Sequence, residues 1–299
     1  RLHSHPRCRI STRHGIGTRA MTGSLVLVAT PIGNLGDLTL RATETLSKVD
    51  VIACEDTRRT GNLLRHIGAK DFRYVVVNEH TEYDATNQIV DALNNGDDVA
   101  LVSDAGTPGI SDPGSLLVQA VIEAGHQVVP IPGASAAIST LSVGGLDTRR
   151  FFFEGFLPRD GKERTDRLAF LKSVPVTTVV YEAPHRIVQT LNELQQNLGG
   201  ERRVVLAREL TKIHEEIWRG SISDAIEHIS NAEPIGEYVI LIESAPPRPA
   251  VTEDLIDSAL KSALVDGRSV KDAANDVADM FQLPKRDLYE RALRLRGQL

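Results

Sequence analysis

The chain is 299 residues long, enough for two domains and a small third. Its apolar fraction, 41%, supports a sizeable buried core, yet no apolar run approaches the roughly 20 residues that a membrane span requires. The two cysteines, Cys8 and Cys54, are too few for a disulfide framework or a zinc site, so no metal is expected and a reducing, cytoplasmic setting fits.

Residues 1–20 differ from the rest. They hold five arginines, three histidines and no acid, and Met21 follows directly. A transit peptide, a basic arm and translated sequence upstream of a start at Met21 all fit this composition, and the last is preferred. The formal charge is −6 overall, and removing those five arginines leaves −11 for residues 21–299. An acidic body argues against broad, nonspecific binding to nucleic acid, so any RNA contact must come from local patches.

From residue 22 onward, strands and helices alternate. Leu25–Ala29 reads as a buried strand, followed by a Pro/Gly turn and a helix near Leu38–Ser47. Val51–Cys54 is a second strand, with a helix near Arg58–His66 closed by Gly68. Tyr74–Val77 is a third strand, Asp84–Asn95 a helix, and Val99–Val102 a fourth strand. Pro113–Ala124 is a helix, with Asp112 as its candidate N-cap and Pro113 at its first position. Gln127–Ile131 completes five short apolar strands, the pattern of a parallel sheet covered on both faces. A second α/β region follows, with strands at Phe151–Glu154, Thr177–Tyr181, Val204–Leu206, Glu216–Arg219 and Tyr238–Ile242. Its helices are expected at Leu168–Lys172, Pro184–Leu198 and Ser223–Ile229, and a hairpin joins the third and fourth strands. Ala245-Pro246-Pro247-Arg248-Pro249 reads as a stiff linker, and 252–299 as helices only.

The chemistry gathers at the carboxyl ends of the first five strands, where open α/β sheets bind ligands. The loop Ser103-Asp104-Ala105-Gly106-Thr107-Pro108-Gly109-Ile110-Ser111-Asp112-Pro113-Gly114 sets an aspartate just past a strand, among glycines that let backbone approach a ligand. Thr30-Pro31-Ile32-Gly33-Asn34-Leu35-Gly36-Asp37 follows the first strand. It is neither a G-x-G-x-x-G turn nor a Walker loop, and a plain turn remains open. Ala53-Cys54-Glu55-Asp56-Thr57-Arg58-Arg59 brings two acids and two arginines to the same rim. Helix capping explains Asp56 or Thr57 but leaves Glu55 and Arg58 without a role. Small residues in Pro130-Ile131-Pro132-Gly133-Ala134-Ser135-Ala136-Ala137 either open a space beside Asp104 or serve close packing.

These four segments, together with Ala207-Arg208-Glu209-Leu210-Thr211-Lys212, occur in an order that closely resembles the bacterial small-subunit rRNA cytidine 2′-O-methyltransferases of the RsmI type, in the tetrapyrrole-methylase superfamily. The likeness covers roughly 24–244, and the tail resembles the small helical C-terminal domain of that family. It implies an α/β class III methyltransferase fold: two αβα domains, at 22–132 and 133–244, with a cofactor cleft between them. A linker at 245–251 and a helix-turn-helix-like domain at 252–299 complete the chain. The implied cofactor is S-adenosylmethionine. Asp104, Ala105, Gly106 and Thr107 would hold it, Ser135 and Ala136 would line its pocket at the hinge, and Tyr181, Glu182, Ala183, Ala207 and Gly236 would close it from the second domain. The implied substrate is a cytidine of 16S rRNA and the implied state a homodimer, while the acidic body suggests that an assembled 30S subunit, rather than naked RNA, presents the nucleotide. Relatives that modify tetrapyrroles usually open with a G-x-G-P-G-like turn, whereas this chain has Thr30-Pro31-Ile32-Gly33-Asn34, which points to the rRNA branch.

In-line attack by a ribose hydroxyl on an activated methyl needs alignment above all, and is helped by a base or a positive group. Glu55, Asp56, Arg58, Glu79, His80, Lys212 and Glu215 are candidates. Glu55 and Arg58 are the preferred catalytic pair, with Lys212 next. For RNA contact, Arg149, Arg150, Arg159, Lys162, Arg164 and Arg167 cluster with Phe151, Phe152, Phe153 and Phe156, and His185-Arg186 opens a helix. The phenylalanines are expected in the strand core. In the tail, residues 285–299 carry five basic and two acidic side chains, which suits an RNA-facing end. The competing readings are a tetrapyrrole C-methyltransferase and a noncatalytic ribosome assembly factor.

Overall fold

The computed structural model describes residues 22–70, 72–78, 81–231, 233–247, 252–281 and 283–297. The N-terminal extension with Cys8, and the candidates Glu79 and His80, lie outside these residues. Two compact units divide between Ala245 and Pro246.

The first unit contains two five-stranded sheets. The first is wholly parallel, built from β1 (Ser24–Val28), β2 (Val51–Cys54), β3 (Arg73–Val76), β4 (Val99–Val102) and β5 (Gln127–Ile131) in the order β3-β2-β4-β1-β5. Alternate residues of each strand face opposite ways, and both faces are covered. Leu25, Val51, Ala53, Val99 and Leu101 pack with Ile89 and Leu93 of α3 (Glu82–Asn94) and Leu117 and Val121 of α4 (Ser115–Glu123). Val26, Val28, Ile52, Ala100 and Val102 pack with Ala42 and Leu46 of α1 (Leu40–Leu46) and Leu63 and Leu64 of α2 (Thr57–His66). This double burial explains why β1, β2 and β4 read as apolar runs.

The second sheet is mixed. It comprises β6 (Phe151–Phe156), β7 (Thr177–Glu182), β8 (Arg203–Arg208), β9 (Glu216–Ser221) and β10 (Tyr238–Ile242) in the order β6-β7-β10-β8-β9. Only β6 and β7 are parallel, and β8 and β9 form the expected hairpin. One face packs on α6 (Gly161–Leu171), α7 (Ile187–Leu198) and α8 (Ile222–Ser230). The other packs on α5 (Ala136–Gly144), a helix that apolar periodicity does not reveal. Ala137 and Leu141 of α5 meet Val205, Ala207, Val239 and Leu241, and Ile32 from the loop after β1 joins the same cluster. The two sheets are thereby joined through a shared apolar layer.

Two local readings need correction. The helix after the Gly/Pro loop starts at Ser115 with Gly114 as its N-cap, so Asp112 is not a cap. Phe151 and Phe156 are exposed rather than core, since β6 is an edge strand with a bulge between Phe153 and Gly155.

The second unit contains α9 (Glu253–Val265), α10 (Val270–Phe281) and α11 (Lys285–Arg296), packed around Ile256, Leu260, Ala274, Val277, Leu288, Ala292 and Leu295. Thr252 caps α9 by accepting the Leu255 N–H at 3.2 Å. No helix among the described residues is long and apolar enough to cross a membrane.

Candidate functional site

The loops at the carboxyl ends of β1 and β4 are stitched together. Thr30 N–H donates to Gly106 O at 2.8 Å, Gly106 N–H donates back to Thr30 O at 3.1 Å, and Thr30 Oγ1 donates to Ser103 O at 3.2 Å. Thr107 Oγ1 donates to Ala134 O at 3.3 Å, which ties the same loop to the segment before α5. A cleft of about 440 Å³ opens between these loops and the second sheet. Ile32, Asp104, Ala105, Gly106, Thr107, Ser135 and Ala136 line it on one side, and Phe156, Tyr181, Ala183, His185 and Val239 on the other.

Nine of the eleven residues expected at the cofactor therefore share one cleft. Ala207 and Gly236 do not line it. Ala207 is fully buried in the layer shared with α5. Gly236, at φ +81°, serves Glu209, since a Cβ there would lie 2.3 Å from Glu209 Cγ. Glu237, Tyr238 and Val239, which follow Gly236, line the cleft instead.

Asp104 stands at a junction. It borders this cleft, a pocket of about 190 Å³ beside Thr30 and Asn62, and a cavity of about 690 Å³ beside Glu55 and Asn78. One carboxylate oxygen lies 3.4 Å from a guanidinium nitrogen of Arg59, while Oδ1 is buried with no hydrogen-bond partner among the described residues. Burial pushes the Asp104 carboxyl above its ordinary range, against the pull of Arg59 and with the push of Asp56. An orphaned carboxylate oxygen is costly, and a ligand that donates a hydrogen bond or brings positive charge satisfies it. Apolar and aromatic walls opposite it suit a flat heterocycle. Phe153 and Phe156 pack edge-on to Tyr181, with centroids 5.2 and 5.6 Å away. Tyr181 Oη accepts the Ala137 N–H at 3.2 Å, which fixes the ring against the start of α5. The donor set and shape fit the amino-acid, ribose and adenine parts of S-adenosylmethionine.

Asp112 is a site residue that the sequence does not single out. It is half-buried and borders both the cleft and the larger cavity. Burial pushes its carboxyl up to about 6; the Ser103 hydroxyl lowers it, and the charges of Glu55 and Asp104 raise it further. The backbone before it is constrained, with Ser111 in the left-handed region at φ +60°. Ser111 packs against the β6 bulge, where a Cβ on Gly155 would lie 2.8 Å from Ser111 Oγ. No local sequence signal separates this aspartate from an ordinary cap.

Glu55 and Arg58 both line the larger cavity. Arg58 is bound to Asp56 by two side-chain hydrogen bonds of 3.2 and 2.8 Å, which hold Asp56 down at about 2. It is Arg59, not Arg58, that reaches Asp104. Lys212 lies outside both cavities and binds Glu209 at 2.8 Å and Glu237 at 3.1 Å. Its stem covers Gly33, where a Cβ would lie 2.4 Å from Lys212 Cγ. Glu215 accepts the Thr211 N–H at 2.6 Å. These contacts give the Glu209–Lys212 loop, with left-handed Glu209 and Thr211, the geometry of a clasp between the two lobes.

The expected basic patch splits. Arg164 is 4% exposed and bonds Glu193, Thr190 and Pro158 O, so it is part of the core. Arg186 pairs with buried Glu182 at 3.1 Å and donates to Leu157 O at 2.7 Å, and is likewise turned inward. Arg167 is held by Glu154 and lies over the rings of Phe152 and Phe170. Arg150, Arg159 and Lys162 are exposed, and Arg149 is exposed while paired with Asp147. His185, expected at phosphate, lines the cleft.

Comparison with known proteins places this geometry in a family. Residues 24–226 match the family described as Tetrapyrrole (Corrin/Porphyrin) Methylases, and 249–296 match the RsmI C-terminal HTH domain. Among curated relatives, a protein of Synechocystis sp. named Ribosomal RNA small subunit methyltransferase I is 47% identical, covering 91% of this chain and 98% of its own. The protein of that name from Escherichia coli O157:H7 is 43% identical over 92% and 96%. Solved structures share the fold at low identity. The cobalt precorrin-4 methyltransferase CbiF aligns with TM-score 0.58 and 16% identity over 77% of this chain and 98% of its own. Uroporphyrin-III C-methyl transferase from Thermus thermophilus, complexed with S-adenyl homocysteine, aligns with TM-score 0.53 and 19% identity over 74% and 97%. The chain belongs to the tetrapyrrole methylase family and groups within it with the ribosomal RNA small subunit methyltransferase I proteins.

Proposed function

We propose that this protein transfers a methyl group from S-adenosylmethionine to the ribose 2′-hydroxyl of a cytidine in 16S rRNA, on the assembled 30S subunit. The reading rests chiefly on full-length similarity to proteins named for small-subunit rRNA methylation. The cleft with its orphaned Asp104 oxygen supports cofactor binding at the carboxyl ends of β1 and β4. A cytoplasmic homodimer is part of the same proposal, with lobes 22–132 and 133–244 as the two walls of the cleft.

When bound, the cofactor supplies a sulfonium-activated methyl. The protein's own work is then orientation and exclusion of water. Asp104, steadied by Arg59, would accept hydrogen bonds from the cofactor's polar end. The Ala105–Thr107 backbone, held by Thr30 and Ala134, would lie against the cofactor, and Tyr181 and Phe156 would close the apolar side. The polar cavity beside Glu55, Thr57, Arg58 and Asn78 meets the cleft at Asp104, Ser111 and Asp112, and would receive the acceptor nucleotide.

The test uses purified protein, radiolabelled S-adenosylmethionine and small subunits from cells lacking the enzyme. Nuclease digestion and mass spectrometry are expected to give one 2′-O-methylcytidine per subunit, with little transfer to protein-free rRNA. Methylation of a uroporphyrinoid instead, or no transfer to subunits, overturns the reading.

A further inference from the structure

The two cavities meet at a short stretch of the loop after β4, and its geometry is fixed from three sides. Ser111, at φ +60°, is pressed against the bulge of β6. Gly114 N–H donates to Glu82 Oε1 at 3.1 Å, which pins the end of the loop to the start of α3. Thr107 is tied to Ala134 at 3.3 Å. Between these anchors Asp112 lines both cavities. The other carboxylate shared by the two, Asp104, already faces a guanidinium at 3.4 Å. Asp56 is engaged by Arg58.

We propose that Asp112 is the catalytic base, receiving the proton of the acceptor 2′-hydroxyl where the nucleotide cavity opens into the cofactor cleft. This rests on the function proposed above. The balance is simple. The hydroxyl oxygen forms a bond to the methyl carbon as the carbon–sulfur bond breaks, and that electron pair stays on sulfur as a neutral thioether. The hydroxyl proton passes to the Asp112 carboxylate and then to solvent.

The surroundings of Asp112 suit the role. Glu55 after β2 and Asp104 after β4 raise its proton affinity electrostatically, the Ser103 hydroxyl lowers it, and Tyr181 interacts with it from the second lobe. Arg59 and His185 lie along the same cleft. A carboxyl that titrates at about 6 is ionised at neutral pH yet more basic than an ordinary carboxylate, as an efficient base requires.

Three measurements test this. The wild-type single-turnover rate on small subunits is expected to rise with pH, level above about 6, and track the Asp112 titration seen by carboxyl NMR in the free protein. Asp112→Asn is expected to lose about 100-fold or more in rate, with the dissociation constant for S-adenosylhomocysteine within threefold of wild type. Asp112→Ala is expected to regain rate with added acetate. A flat wild-type profile from pH 5 to 8, or an Asp112→Asn rate within threefold of wild type, overturns the proposal even if subunits are methylated. Absence of transfer by wild type rejects the proposed function and this role together.

Discussion

A carboxyl that is half-buried beside two other carboxylates costs stability whenever it is charged. Asp112 titrates at about 6 in the native fold, against an ordinary aspartate near 3.9 in the unfolded chain. The native state therefore binds more protons between those values. Its stability contribution is complete below about pH 4 and is lost as pH rises through 6. Asp112→Asn removes the charge at every pH, so the variant's advantage opens between about pH 4 and 6 and is full above. After solvent screening of a partly exposed group, about 1–2 kcal/mol is expected at pH 8, read as a melting point about 2–4 °C above wild type. Equal melting points of wild type and variant at pH 8 would show that the site bears no such strain. The same substitution thus separates two roles, gaining stability while losing rate. Other residue roles were legible in sequence to different degrees. Asp104 announced itself by standing just past a strand among glycines. Arg164 read as surface charge, yet it lies at i, i+4 and i+7 with Leu168 and Leu171, on the buried stripe of α6. Its acidic partner Glu193 lies 29 residues away on α7, and only folding brings the two together, whereas the Glu182–Arg186 pair is local, at i and i+4.

At the scale of elements, the sequence pattern located all ten strands of the described residues, most plainly the central ones, because a strand buried on both faces, such as β2, β4 or β10, is a compact apolar run. The same logic failed for α5. Its buried positions Ala137, Thr140, Leu141 and Gly144 keep helical spacing, but small residues carry little apolar contrast. Their smallness has a structural purpose. A Cβ on Gly144 would lie 2.4 Å from Leu241 Cδ1, so the helix lies directly on β10. The loop after β1 meets the second lobe in the same way. At Gly33 a Cβ would lie 2.4 Å from Lys212 Cγ, 2.8 Å from Thr211 Oγ1 and 3.0 Å from the Leu210 carbonyl. Gly33→Ala is expected to force the clasp off Gly33 and destabilise the first unit by about 1–3 kcal/mol in urea unfolding. Affinity for S-adenosylhomocysteine is expected to fall with it, since the clasp holds the cleft walls together. Gly61→Ala in α2 is the control. There a Cβ meets nothing nearer than Tyr74 Oη at 3.9 Å, and alanine favours the helix. Equal effects of the two substitutions would show that the clasp carries no weight.

At the scale of the molecule, the distribution of charge is the main constraint on function. A polyanionic substrate must be met by a body whose formal charge, without the five N-terminal arginines, is −11. Attraction must come from discrete basic surfaces, and the folded core has withdrawn Arg164 and Arg186 from that pool. Arg150, Arg159 and Lys162 remain exposed on the first unit. In the second unit, α11 presents Arg286, Tyr289, Leu293 and Arg296 on one exposed stripe at i, i+3, i+7 and i+10, with Tyr289 43% and Leu293 49% exposed. Arginines interleaved with an aromatic suit phosphate and unstacked bases. Under the proposed function, this helix is expected to add affinity for the small subunit, and the cleft of the first unit to carry the chemistry. A chain ending at Ala245 retains both sheets and every residue of the cleft, so its calorimetric affinity for S-adenosylhomocysteine is expected to stay within threefold of the full chain. Its affinity for small subunits is expected to fall about 10-fold or more at moderate salt, and the dependence of log K on log salt to become shallower by about one unit for each phosphate no longer neutralised. Arg286→Glu with Arg296→Glu in the full chain is expected to reproduce most of that weakening with little change in melting point, because both side chains are exposed and the Arg286–Glu290 pair at 3.7 Å is a surface pair of small weight. Unchanged subunit affinity in both the truncated and the doubly substituted protein would assign RNA capture to the first unit alone, with Arg150, Arg159 and Lys162 as the next surface to reverse.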